Sequence, residues 1–392
     1  MTDSLRPVGR RLPASRERGP ATGRSRLRLP VMAAGLISLV LGLWAGLFRL
    51  GWALPLLSTS LPEAHGPLMV NGVLATLIGL ERAVALHRRA YFAGPFLTGA
   101  GSVALALGIP SSFAIPWVVL GGGIVLAMFL EIRVRQPALH TTAQVLGAGA
   151  LLAGNVLWWG GLDIPYLIPW WGSFLVLLIA AERLELTRML PIPTWRRHLL
   201  GSFFVLDLAG CAVGVLWFVP GTLLLAGSWI AMALWLIAHD VARWNLRRAG
   251  LPRFAAICLL SGYAWLAAGG ALILAFGGIV PDGLVYDAQL HAVFLGFVLS
   301  MIFAHAFVIL PATLGTPAPF HRAFYVWLGV LDASLMGRIA ADLLALGSLR
   351  AWAGLFNVVA IGGFGISLLA SVLLERWPVG RFSGLDASSF FP

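Results

Sequence analysis

The sequence predicts an all-α membrane protein, a polytopic bundle of about twelve transmembrane helices. Hydrophobic residues make up 59% of the chain and charged residues only 11%, whereas a soluble domain carries about 25% charge. The mean hydropathy is +0.89. Apolar stretches of about 20 residues, the length that crosses a bilayer, recur along the whole chain. Prolines, glycines or clusters of arginine separate them.

Three regions follow from this pattern. Residues 1–29 hold eight arginines and are too polar to bury a core, so we expect a disordered cytoplasmic tail. The first apolar run resembles a signal peptide but is long and lacks a small-residue cleavage site, so we expect a retained helix. Residues 30–376 form the twelve-helix domain and residues 377–392 a short cytoplasmic tail. The predicted helices are 30–52, 66–86, 92–110, 113–132, 139–160, 164–182, 199–219, 221–239, 254–277, 289–312, 323–346 and 351–374.

The arginines predict the orientation of the bundle. The net charge of +11 comes without a single lysine, and arginines cluster in the N-terminal tail and after every second helix. Positive charge marks cytoplasmic loops, so both termini are predicted to be cytoplasmic. This placement at helix ends favours a lipid bilayer as partner and argues against nucleic acid. Arg49 and Arg350 are the exceptions, and the loop 278–288 carries Asp282 and Asp287 instead.

Two histidines are the candidate cofactor ligands. His65 begins the second helix and His291 the tenth, so the topology places both at one depth near the outer face. Ionisable residues within membranes are costly and are functional candidates by default. Two neutral imidazoles on facing helices can supply both axial ligands of a haem. Nearby Gly66, Gly72 and Gly296 suit a flat macrocycle, or plain helix packing. The alternative is two interfacial histidines near lipid headgroups.

His305 is a candidate for a second site. It follows His291 by fourteen residues, or about 21 Å along a helix, so the two cannot bind the same iron. His305 can therefore belong to an inner site, or can form a hydrogen bond within the bundle. Copper stays open as a second metal, since His305, His140 or Met69 can contribute ligands that spacing hides.

Charged residues within the helices predict ion pairs. Arg338 and Asp342 are four residues apart in the eleventh helix, so they can pair on one helix face. Such a buried pair satisfies its own charges and needs no further role. Two more pairs are predicted at cytoplasmic helix ends, Glu81–Arg82 and Glu182–Arg183.

Short motifs in the second and tenth predicted helices point to a known family. They are Ala64-His65-Gly66, Leu68-Met69-Val70, Ile78-Gly79 and Val298-Leu299-Ser300-Met301. With these motifs the two helices resemble those of subunit I of the haem–copper oxidases. In that family these helices carry the axial histidines of the low-spin haem, which implies that His65 and His291 bind a haem b. The sixth and seventh helices, which carry copper ligands in the oxidases, contain no histidine here. We therefore expect no oxygen reductase, and we assign no catalytic residue.

Further features extend along the chain. They are the histidine-glycine start of the second helix, a late histidine-alanine helix, and the segments Trp195-Arg196-Arg197 and Leu206-Asp207-Leu208-Ala209-Gly210. In these features the general plan is similar to the NnrS family, bacterial twelve-helix membrane proteins described as containing haem and copper. That resemblance implies an inner-membrane protein in nitric oxide or redox response, or in electron transfer with a redox partner.

Two other functions compete with a haem protein. A secondary transporter also has twelve helices with both ends inside. However, the sequence has no Asp-Arg-x-Gly-Arg-Arg type loop after the second helix, and no central charged cluster apart from the eleventh helix. A non-catalytic membrane assembly factor would need no cofactor at all.

Overall fold

The computed structural model describes residues 22–187, 190, 192–314 and 317–376. Helices dominate these residues, and no β-strand occurs among them. Twelve helices contain fourteen residues or more. They are α1 (Thr22–Arg49), α2 (His65–Leu86), α3 (Ala93–Ala106), α4 (Ser111–Arg135), α5 (Leu139–Trp159), α6 (Ile164–Thr187), α7 (Thr194–Leu216), α8 (Phe218–His239), α9 (Leu251–Ala275), α10 (residues 283–314), α11 (Phe324–Leu343) and α12 (Gly347–Arg376).

The prediction of an all-α membrane protein is confirmed at the level of helices. Each predicted apolar segment overlaps one helix, and ten described helices are long and apolar enough to cross a membrane. The two others are α3, which has only 14 residues, and α5, which carries the buried polar residues His140, Gln144 and Asn155.

The helix boundaries differ from the predicted ones mainly at the N-terminus. Helix α1 begins at Thr22, before the predicted boundary at residue 30, so residues 22–29 of the predicted disordered tail are helical. Residues 1–21 of the predicted N-terminal tail and the predicted C-terminal tail, 377–392, lie outside the described residues.

Neighbouring helices pack as antiparallel hairpins. The most extensive contacts join α5 to α6, α7 to α8, α3 to α4, and α11 to α12. Short connections force this arrangement, since a chain that turns within a few residues must return beside the helix it left. Helix α1 packs on α2 and α3, and α9 packs on α8 and α10. The hairpins thus bring α1, α2, α10 and α11 toward one another.

Ion pairs tie helices together at the end of the bundle where α2 and α6 finish. Arg82 contacts Glu81 at 3.5 Å, as predicted, and also pairs with Glu182 of α6. Arg183, however, does not pair with its neighbour. Its guanidinium donates to both carboxylate oxygens of Asp240, at 2.7 and 2.8 Å. The planar guanidinium matches a carboxylate best through two parallel bonds, which a sequence neighbour cannot offer.

Glycines allow a close approach of α7 and α8. A Cβ atom built on Gly221 would lie 2.2 Å from the backbone nitrogen of Gly214 and 2.6 Å from the carbonyl oxygen of Gly210. Small residues four apart let membrane helices approach in this way, so that dispersion contacts replace a hydrophobic driving force.

Gly221→Ala should therefore destabilise the bundle. The added methyl group meets backbone that cannot move aside, and overpacking of this kind costs about 1–3 kcal/mol. Denaturant titration in detergent, followed by circular dichroism, measures the free energy of unfolding.

The matched control is Gly227→Ala, also in α8. A Cβ on Gly227 has no heavy atom within 4 Å, so alanine should leave the stability unchanged or raise it slightly through its higher helix propensity. Equal effects of the two substitutions would contradict the close crossing.

Candidate functional site

The structure brings the two candidate ligands together. The imidazole rings of His65 and His291 have their centroids 6.3 Å apart, with 31° between the ring planes. His65 is the first residue of α2, and His291 ends the first two turns of α10. Both lie where α1 ends and α12 begins, which we call the histidine end of the bundle.

Both rings are oriented by backbone carbonyl groups. Nδ1–H of His65 donates to the carbonyl oxygen of Gly42 at 2.8 Å, and Nδ1–H of His291 donates to that of Asp287 at 2.8 Å. A carbonyl oxygen only accepts, so the hydrogen must be on Nδ1 of each neutral ring, which leaves Nε2 with a lone pair. No described residue forms a hydrogen bond with either Nε2. This is how ligating histidines are commonly held, with one nitrogen oriented and the other free for a metal.

A glycine of α1 makes room for the His65 ring. A Cβ atom on Gly46 would lie 3.1 Å from Cε1 and 3.3 Å from Nδ1 of His65. The imidazole therefore lies against bare backbone and reaches the carbonyl group of Gly42, one turn earlier. Sequence reasoning missed both glycines, because nothing in α1 indicates which helix packs on it.

The glycines singled out from the sequence have different roles. Gly66 lines the cavities beside the histidines. Gly72 and Gly296 instead serve helix packing, since a Cβ would lie 2.6 Å from Oγ of Ser38 and 2.4 Å from Cγ of Trp265, respectively. Of the two explanations open for these residues, packing accounts for Gly72 and Gly296.

Each histidine is followed closely by a π-helix. The π-helical segments are Leu68–Ala75 in α2 and Ala292–Leu299 in α10. The π-helix is rare, and it occurs mostly as short insertions within α-helices, often at functional sites. The wider turns change the direction of the side chains that follow relative to a regular helix. No sequence signal identified them.

Two connected spaces surround the histidine pair. An apolar cavity of about 110 Å³ extends into the bundle and is lined by residues such as Leu43, Met69, Phe294 and Ile361. A polar cavity of about 600 Å³ lies toward the histidine end and is lined by Arg49, Arg338 and Arg350 among others. Both cavities are lined by His65 and His291.

The charges beside His291 form a paired network. The guanidinium of Arg338 donates to both carboxylate oxygens of Asp287, at 2.8 and 3.0 Å. Arg350 lies 3.3 Å from Asp287 and donates to Asp342 at 2.6 Å. The predicted pairing of Arg338 with Asp342 is therefore wrong. Asp287 of α10 faces Arg338 and offers both oxygens, while Asp342 turns to Arg350 at the start of α12.

The two arginines that broke the charge pattern belong to this region. Arg49 and Arg350 both line the polar cavity, and Nη1 of Arg49 donates to the carbonyl oxygen of Pro62 at 3.3 Å. Their position beside the site explains why they depart from the pattern of orientation determinants. The sequence contained this signal, but only as an exception.

Three buried polar side chains next to the site are linked by hydrogen bonds. Nε1–H of Trp171 donates to Asn155 at 3.0 Å, and the amide of Asn155 donates to Oδ1 of Asn71 at 2.9 Å. All three residues are completely buried, and Trp171 packs near Gly66. These hydrogen bonds join α6, α5 and the π-helical part of α2.

His305 lies apart from the pair. Its Nδ1–H donates to the carbonyl oxygen of Met301 at 2.7 Å, which is the hydrogen-bonding alternative considered above, and it lines neither cavity. Among the described residues, no group of three or more histidines, cysteines and acidic residues is arranged to hold a metal ion. Copper as a second metal, with His305, His140 or Met69 among its ligands, stays a prediction.

The fold and this site define a class: a protein whose described residues are mainly helical, with ten helices long and apolar enough to cross a membrane and two facing histidines at one end. The chain belongs to the family described as a domain of unknown function, DUF8744, whose family model matches residues 28–373. No curated protein and no solved structure matches the chain.

Asn155→Ala should weaken the support of the site. It leaves Nε1–H of Trp171 and Oδ1 of Asn71 without partners, and each stranded buried group costs about 1–3 kcal/mol. The free energy of unfolding in detergent measures the loss.

Ser202→Ala serves as the comparison. Ser202 is exposed, and its hydroxyl donates only to the carbonyl oxygen of Leu199 at 2.7 Å, so its removal should cost little. If Asn155→Ala lowers the free energy of unfolding no more than Ser202→Ala does, the hydrogen bonds between Trp171, Asn155 and Asn71 contribute no stability.

Proposed function

We propose that this protein binds a haem b through His65 and His291 and acts in electron transfer or in nitric oxide or redox response. The observation that carries the proposal is the pair of facing imidazoles, each oriented through Nδ1 by a carbonyl group. No role in oxygen reduction is proposed.

The spacing of the rings fits two ligands of one metal ion. Metal–imidazole bonds are about 2 Å long, so two imidazoles on opposite sides of one ion have ring centroids about 6 Å apart. The observed separation is 6.3 Å. Direct stacking would bring the rings closer, and a hydrogen bond between them would engage Nε2. The free Nε2 atoms therefore favour a shared ligand.

The surroundings fit the two parts of a haem. The apolar cavity, lined by Met69 and Phe294, suits the macrocycle. Guanidinium groups suit carboxylates such as the haem propionates, and Arg49, Arg338 and Arg350 line the polar side of the same space. Gly46 and Gly66, both of which line this space, keep it free of side chains.

Bound haem supplies a reversible one-electron couple. The chain's own residues then hold the ligands, exclude water on the apolar side and leave a polar opening at the histidine end. In a bacterial inner membrane with both termini cytoplasmic, this opening would face outward, where a redox partner can approach. The resemblance to the NnrS family and to haem–copper oxidases supports the same proposal.

The test is the absorption spectrum of protein purified after expression with added haem precursor. Wild-type protein should show a Soret band, with one haem per chain. His65→Ala and His291→Ala should each lose the six-coordinate spectrum, because each removes one axial ligand.

The control is His305→Ala, on the same helix as His291. Its ring lines neither cavity, so the spectrum and the haem content should stay unchanged. Absence of haem from the wild-type protein, or retention of the spectrum in both single variants, would overturn the proposal. Either result would favour a transporter or an assembly factor with the same helical bundle.

A further inference from the structure

Asp287 is a charged residue that contacts the candidate ligand His291. One helical turn separates the two residues, and the backbone carbonyl of Asp287 accepts the Nδ1–H bond. Its side chain approaches the same nitrogen, with Oδ1 of the carboxylate 3.4 Å from Nδ1 of His291. The side chain of Asp287 is only 13% exposed, so water screens its charge weakly.

Two arginines hold this carboxylate in place. The guanidinium of Arg338 donates hydrogen bonds to both carboxylate oxygens of Asp287, at 2.8 and 3.0 Å, and Arg350 lies 3.3 Å from one of them. The side chain of Arg338 is only 8% exposed. Asp342 in turn binds Arg350 at 2.6 Å. The negative charge of Asp287 therefore contacts the imidazole, and the positive charges of Arg338 and Arg350 contact Asp287.

We propose that Asp287 and Arg338 act as opposed positioning residues that set the reduction potential of the group bound by His291, an inference that rests on the proposed haem site. A haem held by the two histidines would supply a one-electron couple whose oxidised state carries one more positive charge than its reduced state. A negative charge next to the ligand stabilises that oxidised state and lowers the potential. A positive charge does the reverse.

The arrangement also increases the basicity of His291. A carboxylate near Nδ1–H makes the imidazole a stronger donor through Nε2, which again favours the oxidised metal. Among the described residues, no acidic side chain forms an ion pair with His65, whose Nδ1–H donates to the carbonyl oxygen of Gly42. Of the two candidate ligands, His291 is therefore the one through which the protein adjusts the potential.

The experiment is a spectroelectrochemical titration of the purified haem-loaded protein and its variants. Asp287→Asn keeps the shape of the side chain and removes its charge, so the midpoint potential should rise. Arg338→Gln removes the opposing charge, so the potential should fall. Absorption and electron paramagnetic resonance spectra report whether both histidines stay bound.

Glu131→Gln is the matched control. Glu131 also pairs with two arginines, Arg88 at 3.0 Å and Arg135, but it lies near the C-terminal end of α4 and lines neither cavity. Glutamine keeps the shape of the side chain and removes its charge. The potential of this variant should equal that of the wild type.

The outcomes separate this inference from the proposed function. Wild-type protein without haem overturns both. Haem bound with an unchanged spectrum, but with potentials that do not move in opposite directions, overturns the role of Asp287 and Arg338 alone. If only one of the two variants loses haem, the midpoint potential of the other variant is the test, and a shift against the expected direction overturns the inference. Loss of haem in both variants overturns the inference, because the pair would then be structural.

Discussion

The cost of an unpaired charge in an apolar interior governs the histidine end of this bundle. Asp287, Arg338, Asp342 and Arg350 pair with one another across α10, α11 and α12. Removing one partner of such a set leaves a buried charge, which is strongly destabilising. The network therefore fixes the relative position of three helices. The network also fixes His291, because Asp287 pairs with Arg338 through its side chain and accepts the Nδ1–H of His291 through its backbone carbonyl oxygen.

On the other side of the site, α1 has the corresponding role by different means. Gly46 allows the ring of His65 to lie against the backbone, and Gly42 supplies the carbonyl group. His291 is thus held by ion pairs around its own helix, α10, and His65 by close packing against another helix, α1. The π-helical segments that follow both histidines depart from regular geometry at the place where function is proposed, and such departures persist only where the surroundings stabilise them.

Much of the site was visible in the sequence, but in pieces. His65 and His291 were selected because ionisable residues near apolar segments need a reason, and Arg49 and Arg350 stood out against the charge pattern. The sequence did not show that the rings of His65 and His291 face each other, or that Gly46 makes room for the ring of His65. The expected Arg338–Asp342 pair failed because the four-residue rule considers one helix alone. It cannot weigh a partner such as Asp287, which arrives from another helix with both oxygens available.

The sequence alone determined that the chain is a bundle of apolar helices, where these helices lie, and which few polar residues they carry. Composition and the length needed to cross a bilayer decide those properties locally. Only the tertiary structure decided that two histidine rings stand 6.3 Å apart, which carbonyl groups orient them, and which arginine meets which carboxylate. These depend on contacts between helices distant in sequence, and helix packing in a membrane is decided by the detailed fit of side chains rather than by hydrophobicity.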